Sequence, residues 1–306
     1  MPILDGQSQT RILLAGATGY IGGRLIPLLE QQAVTLRCLA RNPDNLRSQV
    51  KNTTEVVKGD VLEAASLHPA MQAVDVAYYL VHLMAGSKDF EQQDRQAAAN
   101  FAAAAKEAHV RRIIYMGGLG DDTDPNLSPH LRSRHEVGKI LRESGAEVIE
   151  FRSAVVVGAG SLSFDLVKTL TDRLPIMICP RWLATLTQPI AVDDVLAYLL
   201  AAKDLPPGQS RIFEIGGADV VPYGDLVREY AKQKKLRRWL ISVPVLTPYL
   251  SSLWLALVTP KAFEVGKHLI EGLRNPTIVR DKKAMEAFPI QPVGIHEAVR
   301  RAIGGA

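Results

Sequence analysis

Three glycines near the N-terminus are spaced three residues apart, at Gly16, Gly19 and Gly22. An apolar stretch at 12–15 precedes them and a leucine-rich segment at 24–29 follows them. Glycine lets the backbone leave a strand in a tight turn, approach a pyrophosphate closely and pack the next helix against the sheet. The free N–H groups at the start of that helix attract phosphates. The spacing therefore predicts a dinucleotide site, with contacts from Gly16, Ala17, Thr18, Gly19, Tyr20, Ile21 and Gly22.

The residue after the second predicted strand, 34–40, indicates which dinucleotide binds. NAD-specific sites place a carboxylate there to hold the ribose 2′-hydroxyl, whereas this chain has Arg41. A guanidinium suits the 2′-phosphate of NADP because it carries a permanent charge and several donors. The alternative is that Arg41 is a solvated surface residue and that Asp44 holds the ribose. We expect NADP(H) as the cofactor, in preference to NAD(H).

Alternating strand and helix patterns make up the rest of the N-terminal half. Strands are predicted near 56–58, 74–81, 112–116 and 146–151, and an alanine-rich helix at 89–109. This alternation predicts an α/β fold, a Rossmann-type doubly wound parallel sheet with the cofactor across the carboxyl ends of its strands. The loops after the strands should then line the site, through Leu80, Val81, His82, Met116, Gly117, Gly118, Ser153, Ala154, Val155 and Val156.

The glycine spacing and the string GATGYIG at 16–22 resemble the extended and atypical branches of the short-chain dehydrogenase/reductase superfamily. The loop 117–120 and the segment 133–138, interpreted as a helix start, resemble an NmrA-like, NAD(P)H-binding group. The resemblance implies that Asp60 and Val61 flank the adenine. It also implies that 189–195 leads into a helix capped by Asp193.

The catalytic positions depart from that superfamily. Its classical members use a serine and a Tyr-x-x-x-Lys helix pair, in which the tyrosine exchanges a proton and the lysine holds the nicotinamide ribose. Here the corresponding residues are His135 and Lys139, and the loop that would supply the serine reads Met116-Gly117-Gly118. The resemblance implies a ribose contact for Lys139. His135 is either a proton relay or a surface residue of the helix.

Composition and domain size limit the other function classes. The 306 residues, 47% hydrophobic, predict a cofactor-binding core at 1–155 and, at 156–306, the remaining core elements with a smaller, mostly helical substrate lobe. These parts should interleave into one elaborated domain. Cys38 and Cys179 lie far apart, and no metal-ligand spacing occurs, so neither a disulfide nor a metal site is expected. The net charge of +4 fits a polyanionic cofactor rather than nucleic acid.

One segment, 228–260, has a composition that a reductase does not require. Six basic residues lie within 228–238, and 240–260 carries no charge. A basic cluster beside an apolar segment is typical of peripheral membrane contact, whereas the alternative is a buried helix of the substrate lobe. Pro244 and Pro248 argue against a transmembrane helix. We expect a cytoplasmic protein, either free or peripheral at the inner face of a membrane, and the sequence sets no oligomeric state.

Two functions remain open at this point. One is an NADP(H)-dependent reductase that passes a hydride to an activated alkene, carbonyl or quinone-type small molecule, which the apolar lobe would suit. The other is an NAD(P)H-binding redox sensor or assembly factor without turnover. The missing tyrosine favours the second, whereas the lysine and the apolar lobe favour the first. We adopt the enzyme as the working hypothesis.

Overall fold

A computed structural model describes residues 9–83, 89–179, 181–242 and 275–305. The strands are β1 (Thr10–Ala15), β2 (Val34–Ala40), β3 (Glu55–Lys58), β4 (Val76–Tyr79), β5 (Arg112–Gly118), β6 (Glu147–Ser153), β7 (Val156–Val157), β8 (Ile176–Cys179), β9 (Leu186–Thr187), β10 (Ile190–Ala191), β11 (Arg211–Ile215), β12 (Val221–Pro222) and β13 (Trp239–Ser242). The helices are α1 (Tyr20–Leu29), α2 (Asp44–Arg47), α3 (Ala64–Met71), α4 (Phe90–Glu107), α5 (Pro129–Arg142), α6 (Leu162–Arg173), α7 (Val192–Ala202), α8 (Tyr223–Gln233), α9 (Lys283–Ala287) and α10 (Ile295–Gly304), with a 3-10 helix at Arg181–Ala184.

A seven-stranded parallel sheet forms the centre of the molecule. Its strand order is β11-β6-β5-β4-β1-β2-β3, and every neighbouring pair is parallel. The predicted Rossmann-type fold is therefore confirmed. The order reverses between β1 and β4, which opens a crevice at the carboxyl ends of these strands. The edge strand β11 lies within 156–306, the part of the chain expected to supply the remaining core elements. The division of the chain at residue 155 stays a prediction.

The first strand shows why the apolar run at 12–15 forms a central strand. All four residues are fully buried. Ile12 and Leu14 pack with Leu25 on one face of the sheet, whereas Leu13 packs with Phe101 on the other. Successive side chains of a strand point to opposite faces, so a strand covered by helices on both sides must be apolar throughout.

Two helix starts differ from the sequence prediction. Helix α5 begins at Pro129, and the Ser128 hydroxyl caps it by accepting a hydrogen bond from Leu131 N. The predicted start at Ser133 is therefore wrong, because Ser133 is an interior residue that donates to Asp94 at 3.0 Å. The predicted cap by Asp193 is also wrong.

Helix α7 begins at Val192, after Ala191, and has no side-chain cap. Asp193 lies within the first turn, where its carboxylate is 3.2 Å from Arg301 of α10. A carboxylate in the first turn still stabilises the helix through its dipole.

A smaller layer covers one end of the sheet. It contains the short pairs β7–β10, β9–β12 and β8–β13 together with α6, α8 and α10. Phe164, Leu226 and Val299 belong to its buried cluster.

The segment 228–260 is described only as far as residue 242, so 243–260 lies outside the described residues. Residues 239–242 form strand β13, which pairs with β8. The alternative of a helix throughout 240–260 is therefore wrong for its first three residues. Within the described ranges, no helix combines the length and apolar character needed to cross a membrane.

Candidate functional site

The glycine turn lies at the crevice between β1 and β4. Gly16 has a φ of +89°, and a Cβ there would lie 2.5 Å from the Leu80 carbonyl oxygen, so only glycine fits. A Cβ on Gly22 would lie 2.1 Å from the Gly16 carbonyl oxygen. Helix α1 therefore packs directly on the turn. Its first turn contains no acidic residue and no side-chain cap, which leaves its N–H groups free for an anion.

The first cavity opens above this turn and has a volume of about 450 Å³. It collects twelve of the predicted cofactor residues: Gly16, Thr18, Gly19, Tyr20, Ile21, Arg41, Asp60, Val61, Leu80, Val81, His82 and Met116. The cavity is also lined by five residues that were not among the predicted site residues: Leu39, Ala40, Gly59, Leu83 and Arg134. Arg41 is exposed at its rim. Asp44 is absent from the lining and lies 3.5 Å from Arg47.

A second cavity of about 380 Å³ adjoins the first. Tyr20, Ile21, His82, Met116 and Arg134 line both cavities, so they form a shared wall. The second cavity lies at the ends of β5 and β6 and is covered by α6 and α8. Its other lining residues are Gly117, Gly118, His130, Leu131, Ser153, Ala154, Val155, Val156, Ser161, Leu162, Ser163, Leu166, Val167, Leu170, Leu183, Tyr223, Leu226, Val227 and Thr277. Most of these side chains are aliphatic, so the cavity suits an apolar molecule.

Four predicted site residues line neither cavity. Ala17 and Gly22 are buried, and Gly22 acts on the turn through close packing. Lys139 is exposed on α5. His135 is half-buried beneath the loop after β5, with Nε2 2.9 Å from the Gly118 carbonyl oxygen.

His135 belongs to a polar network behind the second cavity. Its Nδ1 lies 2.6 Å from Asp122, and Asp122 accepts a 2.7 Å hydrogen bond from Arg152. Arg152 also donates to the fully buried Glu150 at 2.7 Å. Burial, together with the charge of Arg152, lowers the pKa of His135. The structure therefore places His135 neither on the solvent face nor within a cavity.

The face of α5 that borders the cavities carries His130 and Arg134 instead. These residues are four apart, like the tyrosine and lysine of the classical motif. His130 lies five positions before His135, and Arg134 lies five positions before Lys139. A shift of five residues turns the helix by about 140°, which moves the predicted pair off the cavity face. The spacing alone could have suggested His130 and Arg134, but only the packed helix shows which pair faces the site.

A histidine and carboxylate pair completes the shared wall. Nδ1 of His82 lies 3.6 Å from Asp94, and the rings of His82 and His130 are 5.0 Å apart. Asp94 accepts hydrogen bonds from Ser133 Oγ and from Leu83 N. Burial, helped by the charge of Arg134, lowers the pKa of His82, so its imidazole is neutral near pH 7. In the part of the chain that the structure describes, no cluster of His, Cys, Asp or Glu could hold a metal ion.

Comparison with known proteins relates the segment that contains the glycine turn to a known family. Residues 16–154 match the model of a protein family described as NAD(P)H-binding. Within this range, which is less than half of the chain, the protein is therefore similar to an NAD(P)H-binding family. This match agrees with the nicotinamide cofactor predicted from the glycine spacing. The matched range contains the glycine turn, His135 and Lys139 of α5, and the shared wall.

Two curated proteins are similar to part of this chain. The auxiliary protein GraX of Staphylococcus aureus is 29% identical over 119 residues, which cover 37% of this chain and 38% of GraX. The NAD(P)H azoreductase of Xenophilus azovorans is 27% identical over 139 residues, which cover 45% of this chain and 43% of the azoreductase. The chain therefore spans less than half the length of these relatives.

A solved structure is similar over nearly the whole fold. The NADPH-dependent quinone oxidoreductase of Escherichia coli, complexed with NADPH, has a TM-score of 0.74 and 19% sequence identity. The match covers 95% of this chain and 99% of that protein. It shows that the two proteins share a fold over nearly the whole chain.

Proposed function

We propose that this protein is an NADP(H)-dependent reductase that delivers a hydride to a quinone-type or other activated acceptor. One observation carries the proposal: a cavity built on the glycine turn shares a wall with a second, mostly aliphatic cavity. A reductase needs this arrangement, because its two substrates must meet at one wall with water excluded. The similarity to an azoreductase and to a quinone oxidoreductase supports the same class.

The cofactor fits the residues of the first cavity. The glycine turn would hold the pyrophosphate, because a Cβ at Gly16 or Gly22 would collide with backbone. Arg41 would pair with the 2′-phosphate at the rim, and Asp60 and Val61 would flank the adenine. When bound, the cofactor supplies the hydride.

The two tyrosines of the second cavity are not suited to alcohol oxidation. Burial raises the pKa of Tyr20 and of Tyr223, so both phenols stay protonated near pH 7. Oxidation of an alcohol requires a base such as a lysine-activated phenolate. Reduction of an acceptor that needs little acid assistance fits the cavity better.

The proposal is tested by mixing the protein with NADPH and a series of acceptors: a quinone, an azo dye, a conjugated ketone and a simple ketone. We expect NADPH oxidation with the activated acceptors and negligible NADP⁺ reduction by secondary alcohols. Leu166→Trp, which fills the second cavity from α6, should abolish turnover with unchanged NADPH affinity. Lys168→Trp, on the exposed face of the same helix, is the matched control. Turnover that survives Leu166→Trp would contradict the proposal.

A second candidate is an NAD(P)H-binding sensor or assembly factor. The similarity to an auxiliary protein favours it, as does the position of Lys139 and His135 away from both cavities. A sensor must distinguish reduced from oxidised cofactor by affinity. This candidate replaces the reductase if no acceptor causes oxidation of NADPH and if the Kd values of NADPH and NADP⁺ differ by about tenfold or more.

A further inference from the structure

Arg134 occupies an unusual position at the shared wall. Arg134 is only 9% exposed, and it lines both the first and the second cavity. Among the described residues that line the second cavity, it is the one arginine, lysine, aspartate or glutamate. Among the described lining residues, Arg134 is therefore the one permanent charge in this mostly aliphatic cavity, and it lies where the two cavities meet.

The Arg134 guanidinium has no anionic partner in the described part of the chain. No carboxylate there lies within 4.0 Å of it, and it donates no hydrogen bond to another described residue. Its Cζ lies 5.1 Å from the centroid of the Tyr115 ring. Asp94 is close enough for its charge to interact with that of Arg134. Its carboxylate, however, accepts hydrogen bonds from Ser133 Oγ and Leu83 N.

Two other buried arginines show the usual arrangement in this protein. Arg112 pairs with Glu147 at 2.6 Å, and Arg152 pairs with Asp122 and Glu150 at 2.7 Å. A buried charge is costly unless an opposite charge or hydrogen-bond acceptors compensate it. Arg134 therefore differs from both, and an anionic oxygen that enters the shared wall would compensate it.

The neighbouring backbone leaves room for this contact. A Cβ at Gly118 would lie 3.7 Å from Cγ of Arg134 and 2.7 Å from Cδ2 of Leu131. Gly117 and Gly118 end β5 where the classical enzymes carry a serine, so no side chain there stabilises a reacting oxygen. Arg134 reaches the same place from α5.

We propose that Arg134 stabilises the negative charge that forms on the acceptor's oxygen, so that the substrates are conjugated carbonyl compounds, including quinones, with an apolar body. This inference rests on the proposed reductase function. The acceptor gains a hydride from the reduced nicotinamide, which is oxidised. A C–H bond of the reduced nicotinamide would break and a C–H bond of the acceptor would form. A π bond of the acceptor would break, and the electron pair would move through the conjugated system to the carbonyl oxygen. Water then supplies the proton.

A positive charge fixed in an aliphatic cavity acts mainly on the transition state, because the neutral carbonyl gains its negative charge only during transfer. Loss of such a donor typically lowers kcat about 100- to 1000-fold. Arg134→Met should show this loss with a conjugated ketone or quinone, and with little change in KM or in the Kd of NADPH. Arg134→Lys should recover part of the rate.

Arg132→Met is the matched control, because Arg132 is on the exposed face of the same helix, 2.8 Å from Glu91. It should keep wild-type kinetics. Thermal unfolding of each variant shows whether the helix remains folded.

A measurement without turnover tests the anion site directly. The anion of para-nitrophenol absorbs visible light, whereas its neutral form does not. With wild-type protein and NADP⁺, we expect the bound phenol to ionise at a lower pH than the free phenol. Arg134→Met should remove that shift, and Arg132→Met should keep it.

Each outcome decides between the two proposals. Loss of kcat together with loss of the phenol shift supports the inference. Wild-type turnover that Arg134→Met leaves unchanged overturns it and leaves the reductase standing. A weaker Kd for NADPH with unchanged kcat assigns Arg134 to the cofactor phosphates and overturns it as well. A phenol shift that depends on Arg134, in a protein that reduces no acceptor, rejects the reductase and the oxyanion role, leaving an anion site.

Discussion

Arg41 is the residue that should decide between the two nicotinamide cofactors. It lines the first cavity, whereas Asp44 does not. A guanidinium paired with the 2′-phosphate forms charge-assisted hydrogen bonds, which solvent weakens at this exposed rim. We expect wild-type protein to bind NADPH about tenfold more tightly than NADH, and Arg41→Ala to remove most of that preference. Asp44→Ala should preserve it. Equal affinities of the wild type in calorimetric titrations would refute the assignment.

His82 should make the stability of the protein depend on pH. Burial lowers its pKa from the ordinary value of 6.5, so the unfolded chain takes up a proton at a higher pH than the folded protein. Above about pH 6.5 the imidazole is neutral in both states, and below it the free energy of unfolding falls until the folded pKa is passed. Urea unfolding at several pH values should show this loss. His82→Gln should reduce the slope between about pH 6.5 and 5, and an unchanged slope would count against the burial argument.

The element that most constrains the site is the contact between the glycine turn and α1. Gly22→Ala would place a methyl group 2.1 Å from the Gly16 carbonyl oxygen, so helix or turn must move. We expect destabilisation by about 1–3 kcal/mol and a large loss of NADPH affinity. Gly23→Ala is the matched control, because its Cβ would be 3.6 Å from the Ala17 carbonyl oxygen. Alanine there should preserve binding and favour the helix. Similar Kd values for the two variants would contradict this account of the turn.

At the scale of the whole molecule, the basic segment between α8 and β13, together with β13, would form a surface suited to anionic lipid. Lys234, Lys235 and Arg237 are exposed, and Trp239 and Ile241 are 68% and 51% exposed. Each basic residue near a charged membrane contributes about 1 kcal/mol of attraction. We therefore expect the protein to co-sediment with anionic vesicles at low salt, and the triple Gln variant of the three basic residues to be released.

The control for this experiment is a triple Gln variant of Arg47, Lys51 and Lys106, which are exposed elsewhere. It changes the net charge equally and should sediment like the wild type. If both triple variants sediment alike, general charge explains the binding, and if the wild type never sediments, 228–242 does not contact lipid.

The sequence by itself determined the cofactor turn and six of the seven strands of the sheet, because these are encoded locally. Strand β11 was not predicted. The apolar run at 12–15 is buried on both faces, and glycine is required at 16 and 22 by backbone atoms close in space. These features can be recognised in the amino-acid sequence because they depend on the backbone geometry of neighbouring residues. Successive side chains of a strand point to opposite faces, and a tight turn has no room for a Cβ.

Only the tertiary structure decided which residues of α5 face the site. The resemblance to the classical Tyr-x-x-x-Lys motif selected His135 and Lys139, whereas His130 and Arg134 border the second cavity. Helix phase depends on where Ser128 caps the helix and on how Ser133 and Tyr115 dock it, through bonds to Asp94 and to the Arg134 carbonyl oxygen. Those partners are 39 and 19 residues away in the chain. The four-residue spacing recurs along α5, but long-range packing decides which face of the helix borders the cavities.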